Sequence, residues 1–156
     1  MSTPTQRLAG LGLTLPAVPV PQAAYVPAVV SGGLVYTSGQ LPTVDGKLLA
    51  TGKLGDAVTT EEGASLARVC ALNALAAAAS VAGPDGLDAI ARIVKVVGFV
   101  ASAPGFHAQP QVVNGASELL LDVFGEAGRH ARSAVGMAEL PLDTPVEVEL
   151  IAELRA

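Results

Sequence analysis

The sequence predicts an α+β fold in which helices cover one face of a mixed sheet. Three observations carry that reading. β-prone runs alternate with two segments of helical periodicity, hairpin signals flank this alternation instead of repeating βαβ units, and one strand candidate is apolar almost without interruption. The chain has 156 residues, 51% of them apolar and 15% charged. A single domain of residues 1–156 is therefore expected, with residues 1–22 as a leader and 23–153 as the core. A chain of this size buries about 70% of its unfolded surface.

Thr3-Pro4-Thr5-Gln6 places a cap, a proline at the first helical position and a Gln three residues after the cap, which predicts a short helix over Pro4 to Gly10. Pro16, Pro19, Pro21 and Pro27 then keep the chain extended. Val26 to Ser31 and Leu34 to Leu41 read as two strands joined by Gly32-Gly33, residues that supply the positive φ values of a two-residue turn. Lys47 to Leu54 follows the polar turn Asp45-Gly46 as a short strand or loop. Thr59-Thr60-Glu61-Glu62 is a capping box, and the helix it starts runs to Ala82, ahead of Gly83-Pro84. Ile90 to Ala101 is the near-continuous apolar strand, of the kind covered on both faces. Gln109 to Phe124 is the second long helix, with an apolar stripe of Leu119, Leu120, Val123 and Phe124. His130 to Leu140 and Val146 to Glu153 close the order as a hairpin across Pro141 to Pro145.

The balance of 14 acidic against 9 basic residues gives a net charge of −5, and the cations are scattered. With only five aromatic residues there is no stacking platform for bases, so a nucleic-acid partner is not expected. The apolar stretch Leu72 to Ala82 is too short to cross a bilayer, and no membrane role is expected. The single Cys70 and an N-terminus without a basic-then-apolar pattern fit a cytoplasmic, reduced setting. The mean hydropathy of +0.51 is high for a small free monomer and points to surface buried in an oligomer.

Arg132 stands in a strand that is otherwise small and apolar, His-Ala-Arg-Ser-Ala-Val-Gly-Met. Its planar fork suits a carboxylate, either a structural glutamate or a ligand. Glu147 and Glu149 alternate with Val148 and Leu150, so both carboxylates share one sheet face, which either lines a cleft or meets water. Tyr25 packs or bounds a pocket, and Asn114 is a solvated helix residue or reaches toward a strand. His107 and His130 are assigned no role, and Cys70 reads as a buried inert thiol. No nucleophile triad, phosphate loop, dinucleotide fingerprint or metal spacing is present.

Taken together, Tyr25-Val26-Pro27, Val35-Tyr36-Thr37-Ser38-Gly39-Gln40-Leu41-Pro42, Asn73, Val113-Asn114, Ala131-Arg132-Ser133, and Leu140-Pro141 through Val146-Glu147-Val148-Glu149 resemble the RidA/YjgF family of imine/enamine deaminases, also called endoribonuclease L-PSP. The leader Leu8 to Pro21 and the segment Ala103 to Pro110 mark a divergent subgroup. The resemblance implies a chorismate-mutase-like fold and a homotrimer whose sheets form a central barrel, with a cleft at each interface. It implies a cofactor-free, metal-free hydrolysis of small 2-imino or 2-enamino acids. Arg132 then grips the substrate carboxylate and Glu147 holds the attacking water. Tyr25, Ser38, Gly39, Asn114 and Ala134 then bind substrate. The archetypal branch has a cysteine where Ala134 stands. That departure motivates a second reading, a non-catalytic module that binds a small carboxylate. A third, the ribonuclease of the family's older name, fits poorly with the acidic, aromatic-poor composition.

Overall fold

The computed structural model describes residues 1–18, 20 and 23–156. Pro19 and Pro21, two of the leader prolines expected to be extended, lie outside the described residues. Helix α1 spans Pro4–Gly10, with the capping box of Thr3 and Gln6 formed as the sequence predicts. Strands β1 (Ala28–Ser31) and β2 (Leu34–Thr37) make an antiparallel hairpin, and Gly32 and Gly33 take φ of 58° and 79° in its turn. Both strands are shorter than the apolar runs. The Ser38 N–H donates to the Pro27 carbonyl at 2.7 Å, the last rung of this ladder.

Of the Lys47 to Leu54 segment only β4 (Lys47–Leu48) is strand; it pairs across Asp45-Gly46 with β3 (Thr43–Val44), a strand the sequence reading did not identify, and the rest is a loop whose Leu54 is fully buried. Helix α2 (Thr60–Val81) starts on the Thr59–Glu62 capping box. Its 22 residues are long and apolar enough to cross a membrane, contrary to the shorter span counted from Leu72, because Cys70 and the alanines extend the apolar window. Here the helix lies against α3 and the sheet, burying Leu66, Cys70, Leu75 and six alanines between positions 67 and 78. Asn73 on that face is satisfied by donating to the Leu41 and Thr43 carbonyls at 2.9 and 3.0 Å, which ties α2 to the β3 strand.

Strand β5 (Ile90–Ala101), helix α3 (Gln109–Phe124), strand β6 (Ala131–Met137) and strand β7 (Val146–Leu154) complete the fold. The five-stranded sheet has the order β1-β2-β7-β5-β6. β5 pairs antiparallel with β7 and parallel with β6, so the sheet is mixed. β6 and β7 therefore do not form the expected hairpin: β5 lies between them. Helix α3 carries the chain back to the end of the sheet where β5 began, which is what a parallel pair requires. The loop to β7 then turns through Pro141–Asp143, where Leu142 and Asp143 both have φ of 58°.

One face of the sheet is buried by α2 and α3. Ile93, Val96, Val100, Val146, Val148, Leu150 and Ala152 point there and are sealed from solvent. The helices approach each other and the sheet through glycines. A Cβ on Gly115 would stand 1.8 Å from the Ala64 carbonyl oxygen, and one on Gly98 would stand 2.4 Å from Val113 Cγ2. The other face is open. It carries Val29, Tyr36, Ile151 and Lys95 in one cross-strand row, and Val135, Phe99 and Glu147 in another. Val29, Tyr36 and Val135 are exposed on it. Gly115→Ala is expected to destabilise the chain by about 2 kcal/mol, since backbone and not a side chain must move; a lower urea midpoint at unchanged slope would show it.

Candidate functional site

The sequence-predicted residues fall into two groups. The first gathers around the end of β2. The Ser38 hydroxyl donates to the Val26 carbonyl at 2.6 Å, which holds the segment carrying Tyr25 beside Ser38-Gly39. The Glu147 side chain on β7 lies over Gly39: a Cβ there would be 1.9 Å from Glu147 Oε1, so any larger residue would displace the carboxylate. Tyr25 is exposed at the rim.

The second group sits on β6 and α3. Arg132 Nη1 donates to Asn114 Oδ1 at 2.8 Å and to Ser117 Oγ at 3.2 Å. Asn114 thus takes the second of its two alternatives and reaches a strand. Both Nη1 protons are occupied, and the parallel N–H bonds of Nε and Nη2 form an edge that matches a carboxylate. No carboxylate lies within ion-pair distance of this guanidinium among the described residues. Ala134, two residues further along β6, shares its face and packs against the core. A cavity of about 230 Å³ opens beside Arg132, lined also by Ser117, Leu121, Arg129 and His130.

Within one chain the two groups do not meet. Arg132 is in register with Val96, and Glu147 with Phe99. The two residues therefore stand on strands either side of β5 and three positions apart along it, about 14 Å between Cα atoms from ordinary sheet spacings. An offset of three also puts them on opposite faces, Arg132 toward α3 and Glu147 on the open face. The expectation of adjacent strands fails because β6 entered the sheet by a parallel crossover.

Glu147 and Glu149 share the open face. Burial raises the Glu147 carboxyl above its ordinary pKa, and the Glu149 charge adds to the rise. Glu149 lines a separate cavity of about 190 Å³ with Tyr36, Lys95 and Ile151. A larger cavity of about 420 Å³, lined by Arg7, Asp88, Phe124 and Arg155, lies by α1 and away from both groups. Cys70 is buried as expected, with its thiol pushed well up, by desolvation first and by Glu147 second.

Ser117 and His130 are members of the second group that residue types alone did not reveal. Ser117 follows Asn114 by three positions and so shares its helix face, and His130 precedes Arg132 by two and so shares its strand face. Those spacings are the signal that was present.

Sheet order, helices on one face and the paired clusters together define a class. The chain belongs to the family described as "YjgF/chorismate mutase-like, putative endoribonuclease", whose model matches residues 5–154. It is 47% identical over 145 residues to Protein TCP17 of Trypanosoma cruzi, covering 92% of this chain and 89% of that protein. The crystal structure of Atu1372 from Agrobacterium tumefaciens superposes with a TM-score of 0.89 at 46% identity, covering 99% of this chain and 94% of that one. The structure of E. coli TdcF with bound serine gives 0.64 at 26% identity, covering 89% and 94%.

An upward shift means that ionising Glu147 opposes folding. Its contribution is most favourable below the ordinary carboxylate pKa and is lost as pH rises through the raised value. Glu147→Gln should therefore raise the thermal midpoint at pH 7 and leave it close to wild type at pH 4; a lower midpoint at pH 7 would contradict the assignment.

Proposed function

We propose that this protein is a cofactor-free hydrolytic deaminase of small 2-imino and 2-enamino acids, acting as a cytoplasmic homotrimer with a cleft at each subunit interface. The observation that carries the reading is the free Nε/Nη2 edge of Arg132, held in place by neutral partners and unneutralised by any carboxylate among the described residues. A small ligand with a carboxylate completes that geometry. The serine bound to TdcF is a ligand of that kind.

The half-sites lie on either side of β5 and on opposite faces of the sheet, and the open face carries exposed Val29, Tyr36 and Val135. In the trimer that the family resemblance implies, Arg132 of one copy would meet Glu147, Gly39, Ser38 and Tyr25 of the next.

The reaction adds water across the C=N bond and releases ammonia, leaving a 2-keto acid. The imine carbon is already electrophilic, so the site supplies orientation and a placed water. Arg132 fixes the substrate carboxylate. The Glu147 carboxylate accepts a hydrogen bond from the water, takes its proton as oxygen bonds to the carbon of the imine tautomer, and returns it to nitrogen; the hydroxyl of the resulting carbinolamine then yields its proton by the same route to nitrogen as the C=O bond forms, the C–N bond breaks and ammonia leaves. Asn114 and Ala134 border the Arg132 half, with Ala134 adding space and no functional side chain. That absence favours the one competing reading, a binding module for small carboxylates.

Arg132→Ala should lower kcat/KM by about 100-fold, as loss of a charged anchor does, while the trimer persists by sedimentation. Substrate would be generated in place by an amino-acid oxidase, with semicarbazide trapping the imine left unhydrolysed. Unchanged turnover in the variant defeats the proposal. Stabilisation by 2-keto acids with no ammonia release by the wild type identifies the binding module. Because Glu147 must be ionised to take a proton, kcat/KM should fall as pH drops through its raised pKa. Glu149→Gln removes one cause of the rise and should move that acid limb to lower pH.

A further inference from the structure

We infer that Ser117 and His130 are positioning residues for the Arg132 guanidinium, linked to the backbone of Gly128 as one hydrogen-bonded chain. The inference rests on Arg132 as the carboxylate clamp proposed above and explains how a cation is held there without being neutralised.

Donors and acceptors along the chain can be assigned one by one. His130 Nδ1 lies 2.6 Å from the Gly128 carbonyl oxygen, which only accepts, so Nδ1 carries the proton. In the neutral ring Nε2 is then a bare lone pair. Ser117 Oγ, 2.9 Å away, must donate its hydroxyl proton to it. With that proton committed, the Ser117 lone pairs are what Arg132 Nη1 meets at 3.2 Å. Asn114 presents its oxygen to the same nitrogen, because a guanidinium has nothing to accept with.

Both ends of this chain are fixed. Gly128 belongs to the 3-10 turn Gly125–Gly128 and is seated so closely on α3 that a Cβ would stand 2.2 Å from the Leu120 carbonyl oxygen. Ser117 and Asn114 are one turn apart on α3 itself. Without the imidazole, a serine in a helix turns its hydroxyl toward the carbonyl four residues back, here Val113, and its lone pairs are no longer aimed at Arg132. Burial and the neighbouring Arg132 charge lower the His130 pKa, which keeps the ring neutral at pH 7. Arg129, which also borders the cavity, is already paired with Glu126.

The chemical consequence is that every partner of Arg132 is neutral. An aspartate or glutamate in the place of Ser117 would orient the fork equally well and cancel its charge. Serine and histidine orient it and leave the full charge for an incoming carboxylate.

The test measures affinity for 2-oxobutanoate by calorimetry, with imine turnover alongside, in wild type, Arg132→Ala, Ser117→Ala, Ser117→Thr, His130→Ala and the Ser117→Ala/His130→Ala pair. Long-range nitrogen NMR at pH 7.5 reads the His130 tautomer. The expected results are an Nδ1–H tautomer, an affinity lower by about 5- to 10-fold in Ser117→Ala, and recovery of most of that loss in Ser117→Thr, which restores the hydroxyl. His130→Ala should weaken binding by about threefold, and the double variant should bind no worse than Ser117→Ala, as members of one chain do. An Nε2–H tautomer, wild-type affinity in Ser117→Ala, or a threonine variant as weak as the alanine one overturns the positioning role while Arg132→Ala still loses binding. Undiminished binding by Arg132→Ala overturns the clamp itself, and the positioning role with it.

Discussion

Strand β5 is the element on which the remainder of the structure depends. It exchanges hydrogen bonds with β7 along one side and with β6 along the other, and its helix-facing side chains are sealed under α2 and α3. Pairing with strands of both senses makes the sheet mixed, and it also sets the distance between Arg132 and Glu147, the two charges of the proposed site. The two-residue alternation of β structure does the rest. A register offset of three along β5 sends Arg132 to the helix side and Glu147 to the open side.

That separation leaves each group electrostatically incomplete. Arg132 has neutral partners only, and Glu147 is half-buried beside a like charge with its proton affinity raised. Neither arrangement is what a fold selects for its own stability, since a guanidinium and a carboxylate a few ångströms apart would satisfy each other. Both suit the proposed site: a cation able to take an anion, and a carboxylate whose proton affinity burial and a like charge raise. The glycine at position 39 fits the same logic. It gives the Glu147 side chain room against backbone where any Cβ would displace it.

The helix layer shows small residues used for closeness. The alanines of α2, with Gly115 on α3 and Gly98 on β5, let helix and sheet backbones approach within contact, so the core is filled as much by main chain as by large side chains. This is why α2 has the composition of a membrane span while serving as the central core helix.

Local physics was legible in the sequence wherever a single segment decides the outcome. The capping boxes at Thr3 and Thr59, the Gly32-Gly33 turn, the bounds of β5 at Ile90 and Ala101 and those of α3 at Gln109 and Phe124 all follow from nearest-neighbour chemistry and periodicity. So did the shared face of Glu147 and Glu149, because period two is a property of one strand. The placement of β6 did not. A loop such as Pro141 to Pro145 joins neighbouring antiparallel strands as readily as it crosses an intervening one, and the choice rests on which strand edge is left open once α3 has packed. The chain of Asn114, Ser117 and His130 around Arg132 was hidden for the same reason: its members come from a helix, a turn and a strand. By itself the sequence determined the long helices, the five main strands, their order along the chain and the family. Only the tertiary structure decided which charges meet, because that depends on sheet order and on which face each strand residue turns toward.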